Sequence, residues 1–438
     1  MIVVQPAPKI GWYGDDFTGA SDTLAVLAQR GQRALLFRGL PTAAQLERAG
    51  PLDAVGIAGA SRAMAPDEMT AELTPVGAFF ADLGVRVLHY KCCSTFDSAP
   101  HVGNISVAAR ALRAAVPGAF ANALLPIVGG QPNIGRYCTF STLFAAAGTG
   151  GVVHRIDRHP TMSVHPVTPM AEADLRRHLA LQGFGAIAGL HYPAYGDDAA
   201  ALDAQLAALL AGGPEAVLCD ISRPEDLAVV GRLIWQAAQR QPLLAIGASS
   251  VAQALCAHWG ATVALAAPLA PAPGPVFLLA GSLSPVTRRQ RDLALSYVQV
   301  PVDAARLAAD PAYGDTQAEA IAAHLLAGRS VLASTAPQAG AAAADVPPAV
   351  VAAATATFLT RILQRAPVGR LGIAGGDTSS RAVQGLDLWG LSFLGAPSPG
   401  VALCRVHSDD AALDGIELML KGGQMGSDDL FERLIHGG

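Results

Sequence analysis

Short apolar runs alternate along this chain with longer stretches in which alanine and leucine recur at helical spacing. In the first half, the apolar runs of strand length are Ile10–Tyr13, Ala34–Phe37, Ala54–Ala58, Val85–Lys91, Ala123–Val128, Ala186–Leu190, Val217–Cys219 and Leu243–Ile246. The helical stretches between them include Pro66–Leu83, Val102–Val116, Glu172–Gln182 and Asp198–Ala211. Strands that alternate with helices predict a mainly parallel sheet with helices on both faces.

A proline-rich segment separates this pattern from a second one. Prolines stand at positions 268, 271, 273 and 275, and so many prolines continue neither a helix nor a central strand. We therefore predict a domain of residues 1–262, a linker of residues 263–275 and a second domain of residues 276–438. Each domain is expected to be α/β, with a mainly parallel or mixed sheet flanked by helices and a ligand cleft between the domains.

Composition excludes several classes of function. Hydrophobic residues make up 51% of the chain and charged residues 15%, but prolines or charges interrupt the longest apolar stretches. No secretory signal precedes the first strand, so a cytoplasmic protein with no membrane partner is expected. The net charge of −5 and the lack of a basic run argue against nucleic acid as a partner. The six cysteines show no CxxC spacing, which argues against a disulfide framework or a zinc site.

Two turns rich in glycine and aspartate follow apolar runs and precede helical patterns, one in each half. They span Gly14–Ala20 and Gly375–Ser380. A turn between a strand and a helix presents backbone N–H groups to anions, which the helix dipole also favours. The pair suggests two polar ligands that meet across a cleft, although Asp15 or Asp16 could serve only to cap a helix.

The turn Lys91–Ser98 gathers a cation, several hydroxyl groups and a carboxylate. Lys91 ends an apolar strand, where an ammonium group is costly unless it has an anionic partner. Helix capping explains Ser94 or Thr95 singly, but it does not explain the whole cluster with Asp97. We interpret this turn as part of a binding or catalytic site.

The segment His154–Thr161 is rich in histidine and charge. Arg155 and Asp157 suit the recognition of a carboxylate or a polyol. A solvated loop and a metal site are the alternatives, but the histidine spacing matches no HExxH motif or zinc finger.

In the second half, glycine and hydroxyl groups follow several strand-like runs. The loops begin at Gly281, Gly375 and Gly422, and Ser282 and Ser284 add hydroxyl groups to the first of them. Such loops are typical of a site for nucleotide phosphates. The chain has no GxxxxGK[ST] loop and no GxGxxG fingerprint, so the site would be of a less common type.

Together these segments resemble the four-carbon acid sugar kinase family, and the resemblance covers almost the entire chain. The matching segments are GDDFTGASD (Gly14–Asp22), KCCSTFDS (Lys91–Ser98), HPVTPM (His165–Met170), GSLSPVTRRQ (Gly281–Gln290), GGDTSSRAV (Gly375–Val383) and LKGGQMG (Leu420–Gly426). Members are two-domain α/β enzymes whose N-terminal domain binds a sugar acid and whose C-terminal domain binds ATP. The resemblance therefore implies an ATP-dependent kinase that phosphorylates a terminal hydroxyl group.

The resemblance also implies a set of site residues. The acid-sugar site would contain Asp15, Asp16, Lys91, Ser94, Thr95 and Asp97, with Arg155 and Asp157 as neighbours. The ATP site would contain Gly281, Ser282, Ser284, Gly375, Gly376, Asp377, Thr378, Gly422 and Gly423. Asp377 is the candidate ligand of Mg²⁺, Lys91 is expected to act in catalysis, and either Asp16 or Asp97 is expected to accept the hydroxyl proton.

The CSTFDS motif is closer to the 3-oxo-tetronate kinases than to the D-threonate and D-erythronate kinases, which are the alternative. The stretch GRYCTFSTLFAA (Gly135–Ala146) departs from the 3-oxo-tetronate kinases and points to a related branch such as the 3-oxo-isoapionate kinases. A non-catalytic sugar-acid binding protein and a dinucleotide oxidoreductase are alternatives from other classes, and a homodimer is compatible with the family.

Overall fold

The computed structural model describes residues 7–148, 150–165, 167–196, 198–261, 268–282, 284–335, 348–375, 383 and 385–438. The chain forms two compact units, Met1–Ala264 and Leu265–Gly438. The functions that the sequence assigns to the two domains remain predictions at this point.

The first unit contains a parallel sheet and a small antiparallel one. The parallel sheet has the order β2-β3-β1-β4-β11-β5-β10-β9. Its strands are β1 (Ile10–Gly14), β2 (Ala34–Phe37), β3 (Ala54–Ala58), β4 (Val87–Lys91), β5 (Pro126–Gly129), β9 (Ile187–Leu190), β10 (Ala216–Asp220) and β11 (Leu243–Gly247). The small sheet consists of β6 (Arg136–Thr139), β7 (Thr142–Ala146) and β8 (Val153–Arg155). Because every pair in the larger sheet is parallel, the loops that follow its strands lie along one edge.

The helices of this unit are α1 (Phe17–Gln29), α2 (Ala43–Ala49), α3 (Pro66–Asp82), α4 (Ile105–Ala114), α5 (Leu175–Ala180), α6 (Ala199–Ala211), α7 (Asp226–Arg240) and α8 (Ser250–His258). Helix α1 begins directly after Asp16, whose side chain accepts a hydrogen bond from the Gly19 backbone N–H. Strand β1 is buried along its whole length, as expected for an interior strand of a parallel sheet.

The second unit has a mixed sheet of order β13-β14-β12-β15-β18-β17-β16. Its strands are β12 (Val276–Ala280), β13 (Val298–Pro301), β14 (Val331–Ser334), β15 (Arg370–Ala374), β16 (Gly390–Ser398), β17 (Val401–His407) and β18 (Glu417–Lys421). Neighbouring strands pair in parallel along β13-β14-β12-β15-β18. Strand β17 pairs antiparallel with both β18 and β16. The helices are α9 (Pro285–Asp292), α10 (Ala304–Ala309), α11 (Pro311–Leu326), α12 (Pro348–Arg365) and α13 (Leu430–His436).

The predicted α/β class, with a mainly parallel sheet in one unit and a mixed sheet in the other, is confirmed. Sequence reasoning missed the small sheet between Arg136 and Arg155, because its short strands mix polar and apolar residues without a clear alternation. Among the helices that the structure describes, none is long and apolar enough to span a membrane.

Candidate active site

The turns after β1 and β4 meet at one edge of the parallel sheet. The two strands pair in parallel register, and Gly14 at the end of β1 lies opposite Lys91 at the end of β4. The Asp15 backbone N–H donates to the Lys91 carbonyl oxygen at 2.9 Å. Two segments that the sequence singled out separately therefore form one cluster.

Arg62 belongs to this cluster, although sequence reasoning missed it. Its Nε and Nη2 donate to Asp15 Oδ2 and Oδ1 at 3.0 and 2.8 Å, and its Nη1 lies 3.1 Å from Asp16 Oδ2. Arg62 follows β3, the strand that pairs with β1 on the side opposite β4. A polar residue just after a strand next to β1 was the signal that could have identified it.

Lys91 is buried beside Asp16. Its side chain is 6% exposed, and its Nζ lies 3.9 Å from Asp16 Oδ1. Burial alone lowers the pKa of an ammonium group, but the carboxylates of Asp16 and Asp15 outweigh it and raise the pKa of Lys91 above its usual value. Lys91 is therefore charged at neutral pH and has the anionic partner that its position at the end of an apolar strand requires.

The turn after Lys91 holds a third carboxylate. The Thr95 hydroxyl donates to Asp97 Oδ1 at 2.5 Å, and Cys93 Sγ lies 3.0 Å from the same hydroxyl oxygen. Burial of Asp97 opposes its charge, but the Arg62 guanidinium and hydrogen bonds from Cys93 and Thr95 hold its pKa below the usual value. Ser94 is half-buried in the same turn.

Arg155 and Asp157 pair with each other. Arg155 Nε and Nη2 donate to Asp157 Oδ1 and Oδ2 at 2.6 and 2.7 Å, and the arginine side chain is 46% exposed. The two Arg155 donors that were predicted to bind a sugar acid are therefore already bonded to Asp157. Their role as substrate-binding residues stays a prediction, and the geometry does not favour it.

In the second unit, neighbouring parallel strands place the glycine loops side by side. Strands β12, β15 and β18 are adjacent, and each ends directly before one of these loops. The Gly281 N–H donates to the Ala374 carbonyl oxygen, and the Gly375 N–H donates to the Lys421 carbonyl oxygen, both at 2.9 Å. The described parts of these loops therefore lie along one sheet edge.

The hydroxyl groups of the Gly281 loop lie beside the Gly422 loop. Ser282 Oγ accepts a hydrogen bond from the Ser284 N–H at 3.1 Å, and Ser284 Oγ caps helix α9 through the Val286 N–H. A Cβ atom at Gly423 would lie 2.4 Å from Ser282 Oγ, so a larger residue there would displace the serine. Gly422 precedes Gly423 in the same loop, while Gly376, Asp377 and Thr378 lie outside the described residues.

Lys421 lies beneath these loops and was not singled out from the sequence. It is fully buried, and its Nζ donates to Thr287 Oγ1 at 2.7 Å, while Thr287 Oγ1 donates to the Gly423 carbonyl oxygen at 2.8 Å. Burial lowers the pKa of Lys421 to about 7. Within the described part of the chain, no carboxylate forms an ion pair with Lys421, and no group of three or more His, Cys, Asp or Glu residues is arranged to hold a metal.

Comparisons with known proteins match both units. Residues 10–255 match a family described as a sugar-binding N-terminal domain, and residues 277–431 match a nucleotide-binding C-terminal domain. The chain is 36% identical to the 3-oxo-isoapionate kinase of Paraburkholderia graminis, over 98% of this chain and 94% of that protein. It is 31% identical to the 3-oxo-tetronate kinase of Cupriavidus necator, over 98% of this chain and 96% of that protein.

Solved structures show the same fold. A Salmonella typhimurium LT2 protein superposes with a TM-score of 0.78 at 26% identity, with 98% of both chains covered. A Haemophilus influenzae protein superposes with a TM-score of 0.70 at 24% identity, over 97% of this chain and 98% of that one. The matched domains, the full-length similarity to named kinases and the order of the motifs lead to one conclusion: this chain belongs to the four-carbon acid sugar kinase family.

Proposed function

We propose that this protein transfers the γ-phosphoryl group of ATP to the terminal hydroxyl group of a small sugar acid. The observation that carries this proposal is the largely buried cluster of Asp15, Asp16, Arg62, Lys91 and Asp97 after β1, β3 and β4, within the domain that matches a sugar-binding family. Such a concentration of buried charge is costly for stability and is typical of a binding or catalytic site.

Catalysis of phosphoryl transfer depends mostly on positioning and on charge neutralisation. Lys91 is charged and held in a fixed position, so it can stabilise negative charge on the phosphoryl oxygens or bind an oxygen of the sugar acid. Arg62 fixes Asp15 and Asp16 rather than the substrate, because its donors already contact both carboxylates.

Asp16 is the residue that we assign as acceptor of the hydroxyl proton. Its side chain is 14% exposed, against 5% for Asp15, which is closed in a bidentate pair with Arg62. Asp97 is the second candidate, but its depressed pKa makes it a weaker base. In this assignment Asp97 orients Thr95 and the Lys91–Ser98 turn.

ATP binds at the loops that begin at Gly281, Gly375 and Gly422, which lie side by side at one sheet edge with the hydroxyl groups of Ser282 and Ser284. Mg²⁺, when bound with the nucleotide, would supply neutralisation of the phosphate charge. Asp377 stays the predicted ligand from the protein, and it lies outside the described residues.

The similarity to 3-oxo-isoapionate kinase and 3-oxo-tetronate kinase favours a 3-oxo acid as the substrate. An ATP-consumption screen over 3-oxo-isoapionate, 3-oxo-tetronate, D-erythronate and D-threonate tests this. We expect turnover with at least one 3-oxo acid, and its loss in Lys91→Met shows that the activity belongs to this site. Turnover only with D-threonate or D-erythronate would reassign the substrate, and stabilisation by NADH but not ATP would reject the kinase assignment.

A further inference from the structure

Arg136 and Arg155 project from opposite faces of the small sheet β6–β8. Arg136, Ala145 and His154 lie opposite one another on the three strands and form one row across the sheet. Arg155 lies opposite Phe144, in the adjacent row. Side chains in adjacent rows of a sheet point to opposite faces. The face that carries Arg136 also carries Leu143 and Ala145, both fully buried, whereas Arg155 is on the more exposed face.

The turn between β6 and β7 fixes the buried face against the parallel sheet. Phe140 and Ser141 both have positive φ values, 49° and 65°, which non-glycine residues rarely adopt. Their backbone N–H groups donate to Asp220 at the end of β10 at 2.7 and 2.9 Å. The buried Asp220 carboxylate thus compensates the strained turn and holds the small sheet over the carboxyl edge of the parallel sheet.

At this edge, the Arg136 guanidinium lies close enough to the Lys91–Ser98 turn to feel the charge of Asp97. The carboxylate that acts on it electrostatically is that of Asp97, whereas burial raises the pKa of the Cys93 thiol to about 11 and keeps it neutral. Its backbone also pairs with Gln131, which follows β5 two strands from β4 in the sheet order. Arg136 therefore lies near the Lys91–Ser98 turn, on the side formed by the small sheet.

The donors of Arg136 are incompletely used. Nη1 donates to the carbonyl oxygen of Ile134, but Nε is buried without a hydrogen-bond partner. Among the described residues, no carboxylate lies within ion-pair distance of this guanidinium. Burial accordingly lowers the pKa of Arg136, since nothing nearby fully compensates its charge. An unpaired buried donor on a charged group is unfavourable, so an anionic partner for Nε would be stabilising.

We propose that Arg136 binds the carboxylate of the substrate. The sequence predicts Arg155 for this role. The planar guanidinium can hold a carboxylate through two parallel hydrogen bonds, and the bound anion would supply the missing partner of Nε. The inference rests on the proposed sugar-acid kinase function and extends it. Arg136 selects acids over neutral polyols, while Lys91 stabilises negative charge on the phosphoryl oxygens.

Variants of the two arginines provide matched tests, because both residues lie on the same small sheet. Arg136→Met should lower kcat/KM for the best sugar acid by about 10- to 100-fold, mostly through KM, because charge-assisted hydrogen bonds are lost. The KM for ATP should stay within about twofold. Arg155→Met should leave both KM values within about twofold, since its fork already holds Asp157.

Arg136→Lys is a second variant in case Arg136→Met does not fold, because lysine keeps the charge and most of the side-chain length. It should still raise KM for the acid about tenfold, because an ammonium group cannot form the bidentate contact. Isothermal titration of the acid into the wild type and both Arg136 variants gives a readout that does not require turnover.

The outcomes separate the two proposals. Normal KM and binding of the acid in a folded Arg136→Met or Arg136→Lys protein would overturn the role of Arg136, and a large KM effect in Arg155→Met would return the role to Arg155. Acid binding that depends on Arg136 without any turnover of ATP would support this inference and reject the kinase function.

Discussion

Gly19 and Lys91 approach each other so closely that a Cβ atom at position 19 would lie 1.8 Å from the lysine Nζ and 2.5 Å from Asp16 Oδ1. A side chain at position 19 would therefore displace the ammonium group where the first turn of α1 passes it. The sequence motif after β1 thus has two tasks. Asp16 caps the helix and pairs with Lys91, and Gly19 leaves the space in which that pair forms.

The first prediction is that Gly19→Ala lowers kcat/KM for the sugar acid by about 10²-fold or more, because Lys91 is forced out of position. Stability should change little, since alanine favours a helix by up to about 1 kcal/mol over glycine and offsets part of the strain. Gly39→Ala is the control, because no heavy atom lies within 4 Å of a Cβ atom built there. Wild-type kinetics in Gly19→Ala would show that the Lys91 position does not matter.

Lys91→Met should lower kcat/KM for the acid by about 10²-fold or more, the effect of losing one electrostatic donor in a water-poor site. Methionine keeps most of the apolar stem, so the buried volume is preserved. Because Lys91 lies in the sugar-binding unit, the affinity for ATP should change less than twofold in a direct binding assay. A folded Lys91→Met protein with near wild-type turnover would contradict the catalytic role.

Asp16→Asn tests the assignment of the proton acceptor. Asparagine is as good a helix cap as aspartate, so the start of α1 should persist, while kcat should fall by about 10²- to 10⁴-fold. Asp97→Asn is the matched variant, and its side chain can still accept the Thr95 hydrogen bond; we expect its kcat to fall less than tenfold. If steady-state kinetics show the large fall in kcat for Asp97→Asn and the small one for Asp16→Asn, Asp97 is the base.

Lys421 should give the protein a specific dependence of stability on pH. Its folded pKa of about 7 lies below the usual value of 10.5, so the folded state binds fewer protons than the unfolded state between these limits. The free energy of unfolding should therefore rise with pH between these two pKa values, and Lys421 contributes at most about 1.4 kcal/mol per pH unit. This contribution is lost as the pH falls towards 7.

Denaturant unfolding of the wild type and Lys421→Met at pH 7 and pH 9 measures this contribution, because the variant lacks the titrating group. The free energy of unfolding of the wild type should increase relative to that of the variant at pH 9. A difference between the two proteins that does not change with pH would mean that Lys421 keeps an ordinary pKa in the folded protein.

The sequence predicts the alternation of strands and helices well, because buried parallel strands such as β1 and β4 are short apolar runs with polar residues directly after them. It also singles out Asp16, Lys91 and Asp97, because charge next to an apolar strand is physically conspicuous, and their role as site residues stays a prediction. Their proximity was harder to predict, because it depends on β1 pairing with β4.

Arg62 and Arg136 escaped sequence reasoning for a different reason. Arg62 follows a strand in an unremarkable segment, and Arg136 belongs to a small sheet whose register decides which side chains face inward. Arg155 attracted attention because it lies in a charged segment, yet pairing across β7 and β8 places it on the exposed face. Local composition does not encode this choice of face, because one residue of register reverses it.

Identification of the reaction product shows whether this protein is a sugar-acid kinase. The wild-type protein, ATP with Mg²⁺ and 3-oxo-isoapionate or 3-oxo-tetronate are incubated, and the products are examined by ³¹P NMR and mass spectrometry. We expect equal amounts of ADP and of an acid that carries a phosphate ester on its terminal hydroxyl group, with neither formed by Lys91→Met. Release of inorganic phosphate without a phosphorylated acid, or no consumption of ATP with either of these acids or with D-erythronate or D-threonate, would contradict this assignment.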